Sequence, residues 1–283
     1  MENYIKLIRP KHWLKNILIF LPSILALEFD KLLTTNSIYS FIAMSMMASG
    51  GYILNDIKDV QKDRIHPKKK FRPIAYGTVP VKRAFIIAVF LIITSFLLIS
   101  LINKESLFIL VIYFTLNTAY SNYFKRMKYL DVAVLSSFYL LRLELGAFAN
   151  NTELTGWFIS TMTLAFVTLS LNKRYSELLI SNKTSLNGRG YEPQDISLLR
   201  ILMLNTSLTT LVFLNIHAFF ILKIQTPHFY GILNLLTLLI VLNYFDDKKN
   251  NSDDPVERII SNPMIILYSF SLIALYGFEL FSK

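Results

Sequence analysis

The chain has no cysteine among its 283 residues, so it forms no disulfide, offers no thiol nucleophile and builds no thiolate metal site. It also has no repeat of fixed period and no low-complexity tract. Its first apolar segment follows Lys6, Arg9, Lys11 and Lys15 and lacks a small-residue cleavage pattern, so we expect no cleavable signal peptide. These absences leave a single domain over residues 1–283 as the simplest organisation.

Acidic residues are also scarce, with 19 Asp and Glu against 29 Lys and Arg, which gives a formal net charge of +10. An excess of this size can indicate nucleic-acid binding. Here the cations lie on loops that flank apolar segments, where anionic lipid headgroups and anionic substrates are nearer partners. We therefore expect a membrane protein that binds no nucleic acid.

Apolar residues are abundant, at 53% of the chain, and they are grouped into segments. Stretches of about 20 residues with few charges are typical of transmembrane helices. Nine are found, at 13–29, 36–56, 84–102, 106–124, 130–150, 154–172, 201–222, 224–245 and 259–279. Pro22 interrupts the first, and Arg142 and Glu144 interrupt the fifth, but such breaks are tolerated where neighbouring helices satisfy the backbone. The pattern predicts an all-α, polytopic bundle of nine transmembrane helices.

The distribution of positive charge predicts the orientation of this bundle. With the N-terminus inside, the inside segments and the first interface carry 24 of the 29 Lys and Arg. The outside carries Lys31, Lys104, Lys223 and Lys283. Because positive residues concentrate on the cytoplasmic side, we expect the N-terminus inside and the C-terminus outside. The protein would then be a multi-pass protein of the inner (cell) membrane, with its polar chemistry at the cytoplasmic face.

The richest polar segment is NDIKDVQKDRIHPKKKFRP at residues 55–73. On a helix, Asn55, Asp59 and Asp63 share one face, with Asp56 adjacent. Carboxylates this close need a compensating charge, and oxygen ligands with open positions suit Mg²⁺, which also binds substrate phosphates. The flanking cations would then donate to phosphates. The alternative is a solvated charged loop, although such a loop does not require acidic residues on one face.

Two further inside segments and one span also carry polar groups. The segment YSNYFKRMKYLD contains Tyr120, Ser121, Lys125, Arg126, Lys128 and Asp131. In LNKRYSEL, Glu177 lies at spacings that allow pairing with Lys173 and Arg174 on one helix face. Arg142 lies inside a span, about three helical turns from Asp131, and such a residue is a functional candidate by default. The alternatives are ordinary inside positive charge for the loops and a structural buried pair for Arg142.

Together these segments resemble a known family, the UbiA superfamily of intramembrane prenyltransferases. Within it the chain is similar to the decaprenyl-phosphate phosphoribosyltransferase (5-phosphoribosyl-1-phosphate polyprenyl synthase) branch. The matching segments are RPKHWLKN (9–16), NDIKDVQKDRIHPKKKFRPIAYG (55–77), YSNYFK (120–125), YLDV (129–132), Arg142 with Gly146, LNKRYSEL (171–178) and DDPVERII (253–260). Aromatic prenyltransferases of the superfamily carry a second D-x-x-x-D motif, whereas this chain has KRYSE at that position.

The resemblance implies a UbiA-like bundle that transfers 5-phosphoribosyl from phosphoribosyl pyrophosphate (PRPP) to a polyprenyl phosphate, with Mg²⁺ as cofactor and diphosphate released. It implies catalytic roles for Asp56, Asp59 and Asp63, with metal binding by Asn55, Asp59 and Asp63. The expected PRPP-binding residues are Lys58, Arg64, Lys69, Arg72, Tyr120, Lys125, Lys173, Arg174, Glu177 and Tyr191. The expected lipid-phosphate residues are Lys15, Asn16, Arg126 and Arg142. His66 is expected to shape a turn before Pro67 rather than act as a base.

Two other functions stay open at this point. A UbiA-type prenyltransferase would move a prenyl group from a prenyl diphosphate to an aromatic or other acceptor, but it would be expected to carry the second aspartate motif. A transporter or lipid-phosphate flippase would place polar residues near the midplane. The sequence does not fix the polyprenyl length or the role of Glu144, and it leaves a homo-oligomer open.

Overall fold

The computed structural model describes residues 2–26, 28–65, 69–180, 189–244 and 255–281. Within these ranges every regular element is helical, with 86% helix and no strand. The α-helices are α1 (Glu2–Ile8), α2 (Leu21–Leu25), α3 (Thr35–Lys58), α4 (Val60–Ile65), α5 (Pro73–Tyr76), α6 (Val81–Ser100), α7 (Lys104–Asn122), α8 (Leu130–Asn150), α9 (Gly156–Ile180), α10 (Asp195–Ile216), α11 (Pro227–Tyr244), α12 (Pro255–Ser261) and α13 (Pro263–Phe281). The prediction of an all-α protein is confirmed.

Among the described residues, five helices are long and apolar enough to cross a membrane. They are α3, α6, α8, α11 and α10 together with the π-helix His217–Ile221 that extends it. A shorter apolar stretch, Pro263–Glu279, lies within α13. Helices α7 and α9 overlap two more of the predicted spans. The count of nine spans and the orientation of the termini stay predictions.

The first predicted span differs from expectation. Instead of one α-helix over 13–29, the chain forms a 3₁₀ helix, Pro10–Phe20, followed by the five-residue helix α2. Pro22 lies in the first turn of α2, where its missing N–H costs no intrahelical hydrogen bond. Proline therefore marks the point where the helix begins again rather than a kink within a continuous span.

The chain forms two compact units. The first comprises Met1–Tyr123 and Leu141–Glu153, and the second comprises Phe124–Leu140 and Leu154–Lys283. The prediction of a single domain over 1–283 stays a prediction.

The first unit is built around the packing of α3 against α6. Small residues line this contact, which lets the two backbones approach closely. The buried core includes Leu7, Ile53, Ile74, Val79, Ala84 and Ala88. Across the same contact, the Ser95 hydroxyl donates to the Ala43 carbonyl at 2.7 Å, so a polar side chain is satisfied inside the bundle.

The second unit contains two helix pairs, α9 with α10 and α11 with α13. The core of the first pair includes Val132, Leu171, Leu178, Tyr191, Leu199 and Met203. The core of the second pair includes Ala218, Ile224, Phe229 and Leu233. This unit carries the KRYSE segment on the last turns of α9.

The outward faces of the long helices are apolar. On α6, for example, Phe85, Ile86, Phe90, Ile93 and Leu97 are each more than half exposed. A continuous apolar surface of this kind is unfavourable in water and is expected where lipid is the solvent. The chain is therefore a helical membrane protein.

Candidate functional site

The acidic segment lies where α3 ends and α4 begins. Asp59 is the C-terminal cap of α3, and its N–H donates to the Asn55 carbonyl at 2.9 Å. The Asp63 N–H donates in turn to the Asp59 carbonyl at 2.8 Å. Helical bonding thus continues across the junction and keeps Asn55, Asp59 and Asp63 one turn apart, as their spacing predicts.

Two arginines neutralise the most buried carboxylates of this segment. Arg72 Nη1 lies 2.9 Å from Asp56 Oδ1 and 2.7 Å from Asp63 Oδ2. Arg9 Nη2 lies 2.6 Å from each oxygen of Asp56. The side chains of Asp56 and Asp63 are only 5% and 4% exposed. The sequence predicted a divalent cation as the compensating charge, whereas guanidinium groups fill that role for these two residues; we call Arg9, Asp56, Asp63 and Arg72 the first cluster.

The first cluster nevertheless has donors that fit a hard cation. Carboxylate oxygens from α3 and α4 converge on one positive nitrogen of Arg72 at hydrogen-bond distances. Asp59 is half-buried beside them, and Asn55 adds an amide oxygen. An all-oxygen donor set of this kind suits Mg²⁺. In the described part of the chain no three His, Asp or Glu side chains are already grouped closely enough to hold a metal.

The other predicted phosphate ligands of this segment lie around the cluster. Arg64 and Lys69 are exposed on α4 and on the 3₁₀ helix Lys69–Phe71. Lys58 donates to the side-chain oxygen of Asn122 on α7. His66 and its turn lie outside the described residues.

A pocket opens between α3 and α7 next to this segment. Each helix presents one face to it, through residues three, four or seven apart. The lining residues are Met47, Gly51, Leu54, Asn55 and Lys58 on α3 and Phe114, Asn117, Thr118, Ser121 and Asn122 on α7. Of these, only Asn55 and Lys58 were among the predicted site residues.

Arg142 lies in a buried network in the first unit. Its Nε donates to Asn16 Oδ1 at 2.8 Å, and its Nη2 donates to the Tyr113 hydroxyl at 3.0 Å. Asn16 in turn donates to the Ser45 hydroxyl at 2.8 Å. Arg142 is 4% exposed, and its guanidinium carbon lies 5.1 Å from the centre of the Tyr113 ring. These contacts match the structural alternative for Arg142, while Lys15, beside Asn16, is half-buried.

Gly146 lets α8 approach the N-terminal 3₁₀ helix. A Cβ atom at this position would lie 1.8 Å from the Ile19 carbonyl oxygen, which is a backbone atom. No side chain fits there without separating the two segments. The glycine thereby allows Asn16 and Arg142 to meet.

The second unit holds a second cluster, formed by Asp131, Arg174, Glu177 and Tyr191. Arg174 is fully buried; its Nη1 donates to Glu177 Oε2 at 2.6 Å and its Nε donates to Asp131. The predicted pairing of Arg174 with Glu177 is confirmed. Burial alone would raise the pKa of Glu177, but Arg174, Arg189 and Lys173 together hold that pKa below its ordinary value.

Tyr191 closes the second cluster from the loop before α10. Its hydroxyl donates to Asp131 Oδ1 at 2.5 Å and accepts from the Tyr129 N–H at 2.8 Å. Burial, together with the hydrogen bond to Asp131, raises the pKa of Tyr191, so the hydroxyl stays protonated and remains a donor. Tyr129 holds a left-handed backbone, φ 63°, which this hydrogen bond helps to fix.

Four other predicted site residues are not members of either cluster. Tyr120 is near the end of α7, and Lys125 and Arg126 lie in the 3₁₀ helix Phe124–Arg126. Lys173 is half-buried, unlike its neighbour Arg174.

Sequence reasoning assigned no role to Arg9 or Tyr113. It also missed Arg258, which is 2% exposed and donates to Asn172 Oδ1 at 2.9 Å. The sign of its burial that the sequence offered was a single cation among the apolar residues of α12.

Comparison with known proteins points to one family. The family model for the UbiA prenyltransferase family matches residues 17–264. The decaprenyl-phosphate phosphoribosyltransferase of Mycobacterium tuberculosis is 34% identical over 186 residues, which is 64% of this chain and 61% of that protein. Nodulation protein NoeC of Azorhizobium caulinodans is 33% identical over 220 residues, 75% of this chain and 70% of that protein. The chain thus matches less than two thirds of the length of the mycobacterial relative.

Solved structures share the fold at low identity. A UbiA homolog from Archaeoglobus fulgidus bound to DMAPP and Mg²⁺ has a TM-score of 0.73 at 17% identity, covering 99% of each chain. A structure described for digeranylgeranylglyceryl phosphate synthase has a TM-score of 0.69 at 16% identity, covering 100% of this chain and 99% of the other. At these identities the likeness supports the fold alone.

Proposed function

The chain belongs to the UbiA prenyltransferase family, and from that premise we propose that it is a Mg²⁺-dependent transferase that moves 5-phosphoribosyl from PRPP to a polyprenyl phosphate, with release of diphosphate. Relatives named decaprenyl-phosphate phosphoribosyltransferase support the proposal, such as that of Corynebacterium glutamicum, which is 36% identical over 189 residues. The substrate pair and the metal dependence are our inference.

One observation favours PRPP over a prenyl diphosphate as the donor substrate. Where aromatic prenyltransferases resembling this family carry a second D-x-x-x-D motif, this chain places Arg174, fully buried between Asp131 and Glu177. A permanent cation already neutralises these carboxylates, and Arg174 is fully buried, whereas the Arg72 side chain beside Asp63 is 28% exposed and can move away. Asp131 and Glu177 are therefore poorly suited to hold a second metal on a prenyl diphosphate. PRPP needs no such second metal if its 5-phosphate is bound by Lys and Arg.

We assign separate tasks to the residues of the acidic segment. Asn55, Asp59 and Asp63 would hold Mg²⁺ on the diphosphate of PRPP. A Mg²⁺ ion held there would supply Lewis-acid stabilisation of the charge that develops on the leaving diphosphate. Asp56 is bound by both Arg9 and Arg72, so we assign it to positioning those arginines.

The remaining cations would bind phosphates as charge-assisted donors. Exposed Arg64 and Lys69, half-buried Lys125 and half-buried Lys173 are assigned to PRPP, together with Tyr120. Lys15 and Arg126 are assigned to the lipid phosphate. Arg174, Glu177, Tyr191, Asn16 and Arg142 are occupied by one another or by buried partners, so we assign them to holding the helices in place.

The chemistry requires little from a general base. An oxygen of the acceptor phosphate attacks C1 of the pentose, the C1–O bond breaks, and its electron pair leaves with the diphosphate. The acceptor is already ionised, so no proton must be removed. Positive charge grows on the ring while negative charge grows on the leaving group, and the fixed cations around it stabilise that change. A single in-line displacement inverts the configuration at C1.

Prenyl transfer is the second candidate, because the A. fulgidus homolog with the same fold is bound to DMAPP and Mg²⁺. The two functions differ in what happens to the lipid. In phosphoribosyl transfer the lipid is the nucleophile and keeps its phosphate; in prenyl transfer it is the electrophile and loses diphosphate.

The test supplies purified protein and Mg²⁺ with labelled PRPP and a polyprenyl monophosphate in one tube, and with a polyprenyl diphosphate and 4-hydroxybenzoate in another. We expect labelled lipid in the first tube and no prenylated aromatic in the second. Product in the second tube alone would overturn the proposal and leave the fold assignment intact.

A further inference from the structure

The pocket between α3 and α7 changes in character along its length. Lys58 and Asn55 on α3, and Asn122 and Ser121 on α7, line the end near the acidic segment. Met47 and Phe114 lie at the other end. From Lys58 to Met47 the helix rises about 16 Å, at 1.5 Å per residue. The pocket therefore has a polar end and an apolar end that is roughly three helical turns deeper.

The side chains that are free to bind a ligand through hydrogen bonds lie at the polar end of the pocket. At mid-depth Asn117 is engaged with the Tyr113 hydroxyl, and the Thr118 hydroxyl donates to the Phe114 carbonyl at 3.0 Å. At the polar end, the side chains of Ser121 and Asn55 make no hydrogen bond to any other residue in the described part of the chain, although Ser121 is only 7% exposed. The Lys58 ammonium has three donors and uses one on Asn122.

The Ser121 hydroxyl lies on the pocket wall, where a ligand can reach it. Ser121, Asn55 and Lys58 together offer a hydroxyl, a carboxamide and a positive charge, which is a donor set that suits a phosphate monoester. The wall around Leu54, Met47 and Phe114 offers apolar contact and no spare polar group. An occupant that fits both ends has an anionic head and an extended apolar chain.

From this gradient we propose that the α3–α7 pocket binds the acceptor, with its phosphate at Lys58, Ser121 and the side-chain NH2 group of Asn55, and its first isoprene units along Leu54, Met47 and Phe114. The side-chain oxygen of Asn55 stays available to Mg²⁺. The proposal rests on the proposed function and names a subsite for its lipid substrate. The pentose of PRPP fits less well, because its hydroxyls would have to face Met47 and Phe114, which cannot pair with them. Lys58, which the sequence suggested for PRPP, is thereby reassigned to the lipid phosphate.

Gly51 and the Arg142 network shape the middle of the pocket. A Cβ atom at Gly51 would lie 2.9 Å from the Asn117 amide nitrogen, so glycine leaves room for that side chain. Tyr113, one turn before Asn117, accepts a hydrogen bond from Arg142, which also donates to Asn16. The buried network thus supports the α7 wall without touching the ligand.

The test measures equilibrium binding of farnesyl phosphate to purified protein without PRPP, in parallel with farnesol and inorganic phosphate. We expect farnesyl phosphate to bind at least 10-fold more tightly than farnesol or inorganic phosphate. Lys58→Met should weaken farnesyl phosphate binding about 10-fold or more, the effect of losing a charge-assisted contact, and leave farnesol unchanged. Leu54→Trp should fill the pocket and weaken farnesyl phosphate and farnesol alike, while inorganic phosphate binding stays the same.

Matched controls are exposed positions outside the pocket. Lys62→Met removes a neighbouring cation on α4, and Val111→Trp adds the same bulk to the exposed face of α7; both should bind farnesyl phosphate as the unmodified protein does. Lys58 is exposed, so its variant is expected to fold even if Leu54→Trp does not. Unchanged binding by Lys58→Met, or equal loss in Lys62→Met, overturns the subsite.

The enzyme assay separates this proposal from the function on which it rests. If the unmodified protein transfers phosphoribosyl but Lys58→Met raises the apparent KM for PRPP and not for the lipid, the pocket belongs to the donor and the subsite is wrong. If the unmodified protein transfers no phosphoribosyl at all, the proposed function fails. A selective rise in the lipid KM supports both.

Discussion

At the scale of single residues, the acidic segment divides into carboxylates with different partners. Asp56 is held by two arginines, and Asp63 shares one of them. Asp59 caps α3 at the junction with α4. Substitutions at Asp56 and Asp59 should therefore fail in different ways.

Asp59→Ala should lower turnover by roughly 100-fold or more, the size of effect seen when a group that stabilises developing charge is removed. Its melting temperature should stay close to that of the unmodified protein. Treatment with EDTA should abolish activity, and added Mg²⁺ should restore it. Full activity in EDTA would exclude the metal assignment.

Asp56→Ala should instead reduce stability. It removes hydrogen bonds from Arg9 and Arg72, and bonds to charged groups contribute about 1.5–3 kcal/mol each before solvent screening. Both arginines are partly exposed, at 19% and 28%, so hydration should offset much of the loss. A lowered melting temperature in detergent would support this role; a stable but inactive protein would instead place Asp56 at the reacting groups.

The neighbours Lys173 and Arg174 provide a third comparison. Arg174→Ala leaves Asp131 and Glu177 buried without their cation, which should cost about 3–5 kcal/mol of stability. Lys173→Ala should leave the melting temperature unchanged and raise the apparent KM for PRPP more than that for the lipid. Steady-state kinetics with each substrate varied in turn measure the difference, and an equal rise in both KM values would argue against a PRPP contact.

At the scale of elements, Gly146 sets the distance between α8 and the N-terminal 3₁₀ helix. Gly146→Ala should destabilise the protein by about 1–3 kcal/mol, as overpacking does, because the clash is with the Ile19 carbonyl. Gly277→Ala in α13 meets nothing within 4 Å and should be neutral or gain about 0.5–1 kcal/mol. Thermal unfolding of both variants makes the comparison, and equal stability would show that the two segments can separate at no cost.

Local spacing predicted the elements and part of the site. Helical periodicity was sufficient to place Asn55, Asp59 and Asp63 on one face and to pair Arg174 with Glu177, because successive residues of each set are about one turn apart. It could not find the partners of Asp56 or Arg142, which are 47 residues away at Arg9 and 126 residues away at Asn16. Those contacts depend on how helices pack, and a side-chain spacing carries no information about packing partners.

The first predicted span shows a different limit of prediction from sequence. Its hydropathy predicted one helix over 13–29, since a window average does not respond to Pro10 or Pro22. The backbone restrictions of proline decide where the 3₁₀ and α segments begin.

At the scale of the whole molecule, the absence of cysteine makes the predicted orientation directly testable. Lys70→Cys should react with a membrane-impermeant maleimide only when the inside face is open, and Lys104→Cys should react in intact cells. Both side chains are exposed, and no native thiol competes. Labelling of both positions from the same side would contradict the predicted topology.

The position of each buried charge along the chain also has a consequence for biosynthesis. The partners of Arg142, namely Asn16 and Tyr113, precede it, so both are synthesised before Arg142. Asp131 has the opposite order, because Arg174 and Tyr191 are translated after it. The arginine can dock as soon as it emerges, whereas the aspartate must wait for more than forty further residues. A nascent chain arrested between Asp131 and Arg174 therefore carries a carboxylate whose counter-charge does not yet exist.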